Sequence, residues 1–196
     1  MDDKLLSAFI DFIPNEARNE MLRPQYESEL KERLINDVPN MVSRLAELDP
    51  IITIEVGEYI DFMREAVDAF QFGLWRAVVA LIGIAAESFT DTLYSEFKNV
   101  TSTSGVSMTK EKLFGRDDYI PEERKLAVLF TFGTISSNDY ERLRKIKNLR
   151  DRYVHPKEKA PSVEKDAREV IRLFRSVIKE RFDRIYTIKE GKIVKR

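Results

Sequence analysis

The chain has no cysteine, a single histidine and only two glutamines (Gln25 and Gln71) in 196 residues. Without cysteine there is no disulfide, no thiolate zinc site and no cysteine nucleophile. One imidazole gives a metal centre little to draw on, so neither a metal nor any other cofactor is expected. Long apolar runs are scarce too. The best stretch, GLWRAVVALIGIAAESF over 73–89, is interrupted by Arg76 and Glu87, so no membrane span and no membrane partner are expected. The opening MDDKLLSAFIDFIP is acidic and has only a short apolar stretch, without the basic start and cleavage pattern of a secretory signal. A cytoplasmic protein is the expectation.

Strand-type alternation is also rare, whereas apolar residues recur at helical spacing almost throughout, which implies an all-α protein. At 43% hydrophobic residues the chain buries a substantial core. The expected arrangement is one globular domain, with residues 1–54 as an N-terminal helical extension packed on a bundle over 55–196. Pro14, Pro24, Pro39 and Pro50 divide the extension into short helices, since each proline biases its predecessor out of the α region. PQYESELKERLIND and PNMVSRLAELD are then separate helices, each with proline near its first position.

In the bundle, Glu55 to about Phe72 places Ile60, Met63, Val67 and Phe70 on one face, and Gly73 permits a turn. Leu74–Phe97 is apolar nearly all round and marks a buried central helix. NVTSTSGVSMTK reads as a polar, mobile connector. PEERKLAVLFTFG has the proline start and glycine end of a helix. SSNDYERLRKIKNLRDRYV opens with cap candidates Ser136, Ser137 and Asn138, points Tyr140, Leu143, Ile146 and Leu149 inward, and stops at Pro156. A last helix spans about Ser162 to Arg184, and YTIKEGKIVKR follows as a small β-hairpin or extended tail. Trp75, Phe70 and Phe72 read as core or dimer-interface aromatics.

Charge is unevenly placed. Residues 1–70 carry 16 acidic and 7 basic side chains, leaving 18 acidic and 26 basic for the rest. The C-terminal part suits a polyanion, or a contact between the two parts. Between Glu141 and Lys159 lie eight basic residues against three acidic ones. The only histidine, His155, ends this stretch directly before a proline, and Asp151 lies one helical turn earlier with Arg150 beside it. An unperturbed imidazole titrates near pH ~6.5, and a carboxylate can accept a proton from one of its ring nitrogens.

Arginine, a polar residue, three further residues and histidine, as in RDRYVH over 150–155, resembles the signature of HEPN domains. The long apolar helix LWRAVVALIGIAAESFTDTLYSEF is similar to the helix that packs on the motif helix in that family. The resemblance covers Glu55 to the C-terminal helix and leaves the first ~50 residues as an addition. It implies a HEPN-like helical bundle and a metal-independent endoribonuclease, acting on RNA as a homodimer with two Arg/His pairs in one cleft. His155 is then the general acid/base, Arg150 the electrophilic stabiliser and Asp151 the orienting group. Glu87 is a supporting partner of the pair, or a buried carboxylate matched to Arg76 or another cation. Arg144, Lys147, Arg152 and Lys157 are the candidates for binding the RNA backbone. A toxin or defence role, with an antitoxin or other partner protein, fits the family.

Blander readings stand beside these. A histidine at a helix end caps carbonyls, and a basic run is often a solvated face. A non-catalytic helical dimer that binds nucleic acid, a nucleotide or a protein is the alternative. A carboxylate-bridged metal hydrolase is disfavoured, because no helix carries Glu-x-x-His.

Overall fold

A computed structural model of the chain describes residues 23–48, 57–96, 99–101, 107–109, 112, 120–154, 162–189 and 192–195. Among them are six helices and four short strands. The chain is all-α in its main architecture. It divides into two units, Met1–Arg44 and Leu45–Arg196, and the division falls before the expected boundary at residue 54.

The described part of the first unit belongs to helix α1, Arg23–Ala46. Two helices were expected here, broken at Pro39, but α1 runs through it. Pro39 removes one backbone donor and crowds the preceding turn. Side chains bridge the fault: Asn40 Nδ2 donates to Asp37 Oδ1 at 2.8 Å, and Arg44 Nη1 donates to Asp37 Oδ2 at 3.1 Å. The hydrogen bond from Asn40 is the first cause that holds the Asp37 carboxyl below its usual range, and the one from Arg44 adds to it. Pro24 sits in the first turn, where a proline costs little. Pro14 and Pro50 lie outside the described residues.

The second unit is a bundle. Helix α2 (Glu58–Gln71) and helix α3 (Trp75–Glu96) are joined by three residues, with Gly73 at φ 71°, a left-handed conformation that favours glycine. Ile60, Met63 and Phe70 of α2 are buried, as their spacing predicts, and Val67 is partly so. Helix α3 is central and packs on every other helix of the bundle. Its Val78, Val79, Ile82 and Ala85 are fully buried, and Phe89 meets Tyr59 of α2 edge-on at 5.2 Å. By length and composition α3 would be able to cross a membrane, but more than half of that stretch is covered by the bundle, which marks a core helix.

Where a polar connector was expected, strands β1 (Asn99–Thr101) and β2 (Ser107–Thr109) pair antiparallel, Val100 opposite Met108. The β-branched Val100 and Thr101 favour extended backbone. Helix α4 (Glu122–Thr131) follows Pro121 and is succeeded by Gly133 at φ 70°.

Helices α5 (Ser137–Val154) and α6 (Val163–Ile185) are pinned at both ends. Ser136 caps α5: its Oγ accepts from the Asp139 N–H at 3.0 Å, and Asp139 Oδ2 accepts from the Ser136 N–H at 3.3 Å. Asp139, fully buried, also receives Arg184 Nη2 from the end of α6 at 2.6 Å. At the other end, Tyr153 Oη donates to Asp166 Oδ2 in the first turn of α6 at 2.7 Å. The start of each helix therefore meets the end of the other, and the pair is antiparallel. Leu143, Ile146 and Leu149 of α5 and Val170, Phe174 and Ile178 of α6 are buried in the one core, with Tyr140 partly buried. Strands β3 (Tyr186–Lys189) and β4 (Lys192–Lys195) pair antiparallel as a hairpin, the first of the two forms expected for this stretch. Of the three aromatics read as core or interface, Phe70 is buried, Trp75 meets it edge-on at 5.5 Å, and Phe72 is exposed.

Candidate active site

Arg150 lies near the C-terminal end of α5, where that helix crosses α3. Its stem passes over Gly83, the only glycine in α3. A Cβ at Gly83 would stand 2.3 Å from Arg150 Cδ and 2.7 Å from Cγ, so the missing methyl is what admits the stem. One turn further along the same face, Glu87 Oε2 accepts from Arg150 Nη1 at 2.7 Å. Asp151 Oδ1 accepts from Arg150 Nε and Nη2, each at 3.4 Å. Glu122, in the first turn of α4, brings a third carboxyl to 3.9 Å from Nη2. Three helices thus converge on one guanidinium, whose side chain is 19% exposed.

These contacts set the charge states. Burial disfavours the cation at Arg150, but the Glu87 hydrogen bond and the charges of Glu122, Glu87 and Asp151 outweigh it and raise the pKa further. Asp151 is partly buried, which pushes its carboxyl up. The hydrogen bond from Lys147 and the positive charges of Lys147 and Arg150 prevail and hold it below the usual range. Lys147 donates to Asp151 at 3.0 Å and lies 3.3 Å from Glu123, and the Asp151 hydrogen bond raises its pKa. Burial pushes Glu122 up to about 7, opposed by Arg150 and reinforced by Glu87.

The candidates drawn from the sequence fall into three groups. Arg150, Asp151, Glu87 and Lys147 come together. Glu87 is paired with Arg150, not Arg76, and it is half exposed, not a buried carboxylate. Arg144 and Arg152 do not join them: Arg144 stands 3.6 Å from Glu141 and over the Tyr140 ring at 5.5 Å, and Arg152 stands 3.7 Å from Asp166. His155, Pro156 and Lys157 lie outside the described residues. Tyr153, held by Asp166, fixes the helical turn that leads towards them.

Around Arg150 and Lys147 the described carboxylates are Glu87, Glu122, Glu123 and Asp151. The positive surface expected here is charge-compensated among the described residues, because groups distant in sequence fold onto it. Gly83 and Glu122 were not singled out from the sequence. A lone glycine inside a strongly apolar helix is the signal for the first. For the second there is only an acidic residue behind a helix-starting proline, which is commonplace.

The close approach at Gly83 reverses an ordinary expectation. Glycine to alanine inside a helix stabilises by about 1 kcal/mol, whereas forcing a methyl into packed space costs about 1–3 kcal/mol. Gly83→Ala should therefore be destabilising, with a lower urea midpoint than wild type. The same change made in Arg150→Ala should be neutral or stabilising, because the clashing stem is gone. The chain matches no protein-family model, no curated protein and no solved structure.

Proposed function

We propose that the chain is a HEPN-like, metal-independent endoribonuclease that cleaves RNA through its own 2′-hydroxyl. The observation that carries this reading is the held guanidinium. Arg150 is a permanent cation at the end of α5, oriented by Glu87 and Asp151 and five residues before the only histidine. Three of its five N–H groups face these carboxylates within 3.4 Å. One N–H on each terminal nitrogen lies outside those bonds, a charged donor for a phosphate oxygen.

In the reaction, the 2′-oxygen loses its proton to an imidazole and attacks phosphorus. The bond from phosphorus to the 5′-oxygen breaks, and that oxygen takes a proton from an imidazolium. Arg150 stabilises the charge that builds on the phosphoryl oxygens. His155 supplies the imidazole by its place in the sequence. A homodimer would supply base and acid from two copies in one cleft. A toxin or defence role, restrained by an antitoxin or other partner, is the setting that this chemistry suits.

A second reading has an observation of its own. Arg144, Lys147, Arg150 and Arg152 each lie within 4 Å of a carboxylate, as in a solvated ion-pair network that holds a non-catalytic module together. The test is incubation of the purified chain with single-stranded RNA, and with DNA of the same sequence, in excess EDTA. Cleavage of the RNA alone is expected. Intact RNA at high enzyme concentration would leave the non-catalytic module.

A further inference from the structure

We propose that Glu122 is a positioning residue for Arg150, a carboxyl from α4 that sets which way the guanidinium points. Of the three carboxyls around that head, Glu87 is 48% exposed, Asp151 39% and Glu122 10%. Water readily replaces Arg150 at the first two, and Asp151 also keeps Lys147. Glu122 is the least exposed of the three, and after Arg150 the only other cation among the described residues that acts on it is Lys147, which is hydrogen-bonded to Asp151. The charged groups that face it are Arg150, Asp151 and Lys147 from α5 and Glu87 from α3, with Glu123 adjacent on its own helix.

Burial raises the Glu122 carboxyl to about 7, so its charge changes near neutrality. Ionised, it draws the guanidinium towards α4. Protonated, it leaves the head to Glu87 and Asp151. The same step appears in folding. A carboxyl whose folded pKa lies above its ordinary 4.5 contributes most below pH 4.5, and that contribution is lost as pH rises through about 7. The catalytic consequence rests on the ribonuclease reading, but the positioning does not.

Two readouts separate them. Urea unfolding of wild type, Glu122→Gln, Arg150→Met and the double variant gives a double-mutant cycle. At about pH 8.5 the two substitutions should be coupled by about tenfold in the unfolding constant, and at about pH 5 they should be close to additive. Additivity at both values overturns the proposal. Glu122→Asp, which keeps the charge on a shorter arm, should show weaker coupling of the same sign and serves if the glutamine variant does not fold.

The second readout is the pH profile of RNA cleavage. Glu122→Gln should remove a limb near neutrality from kcat with little change in KM, and Glu122→Asp should keep it. An unchanged profile in Glu122→Gln, from an enzyme that does cleave, also overturns the positioning. If wild type cleaves no RNA, the ribonuclease reading fails and the cycle alone decides.

Discussion

Arg150→Ala is expected to destabilise the bundle by about 1–3 kcal/mol, the range for leaving a partly buried polar group without its partner and below that for breaking a fully buried ion pair. The reason is solvent. Glu87 and Asp151 are exposed enough to rehydrate, and Asp151 retains Lys147. Glu122, far less exposed, is left to take up a proton. Part of the loss is packing, because the arginine stem fills the groove over Gly83. Arg150→Met keeps the stem and discards the head, so about half the cost should return. The remainder should grow as pH rises, since Glu122 must then ionise without its cation. Urea denaturation of both variants across pH measures all three effects. An Arg150→Ala chain as stable as wild type would mean that the carboxylates hold nothing.

His155→Ala should lower RNA cleavage in EDTA by about 10²–10⁴-fold, the usual contribution of a positioned general acid or base. Arg150→Ala should do the same for a different reason, loss of charge stabilisation at phosphorus. The two are distinguishable by dependence on pH. With arginine gone and the imidazole intact, the residual rate should keep only the imidazole's titration near pH ~6.5, whereas removal of the imidazole should leave only the limb that Glu122 sets through Arg150. If the two sites act as one unit, the double variant will be little worse than either single one. Cleavage that survives His155→Ala undiminished contradicts the assignment.

Much of the bundle was legible because burial imposes a period. Ile60, Met63 and Phe70, or Leu143, Ile146 and Leu149, recur at the helical interval and are all buried. The cap at Ser136 and the closing hairpin were readable for similar local reasons. Pro39 misled because side-chain bonds between Asp37, Asn40 and Arg44 span the turn that proline weakens. The pairing of β1 with β2 was hidden in a stretch too polar and too short to show alternation.

At the site, the sequence marked Arg150 and Asp151 and suggested Glu87, which lies 63 positions before the arginine it accepts from. The neutralisation of the basic stretch was not legible. It comes from Glu87, Glu122 and Glu123 on other helices, and a count of charges along one segment does not register residues that folding brings across from elsewhere.

The measurement closest to the central claim is the chemistry of the cut ends. With EDTA present, mass spectrometry of the fragments should find a 2′,3′-cyclic phosphate on one side of each break and a 5′-hydroxyl on the other. A single 2′-deoxynucleotide placed 5′ to a mapped break should abolish cutting there. Fragments that carry 5′-phosphates, or cutting that continues at the deoxy position, would contradict attack by the 2′-oxygen and with it the role given to Arg150 and His155.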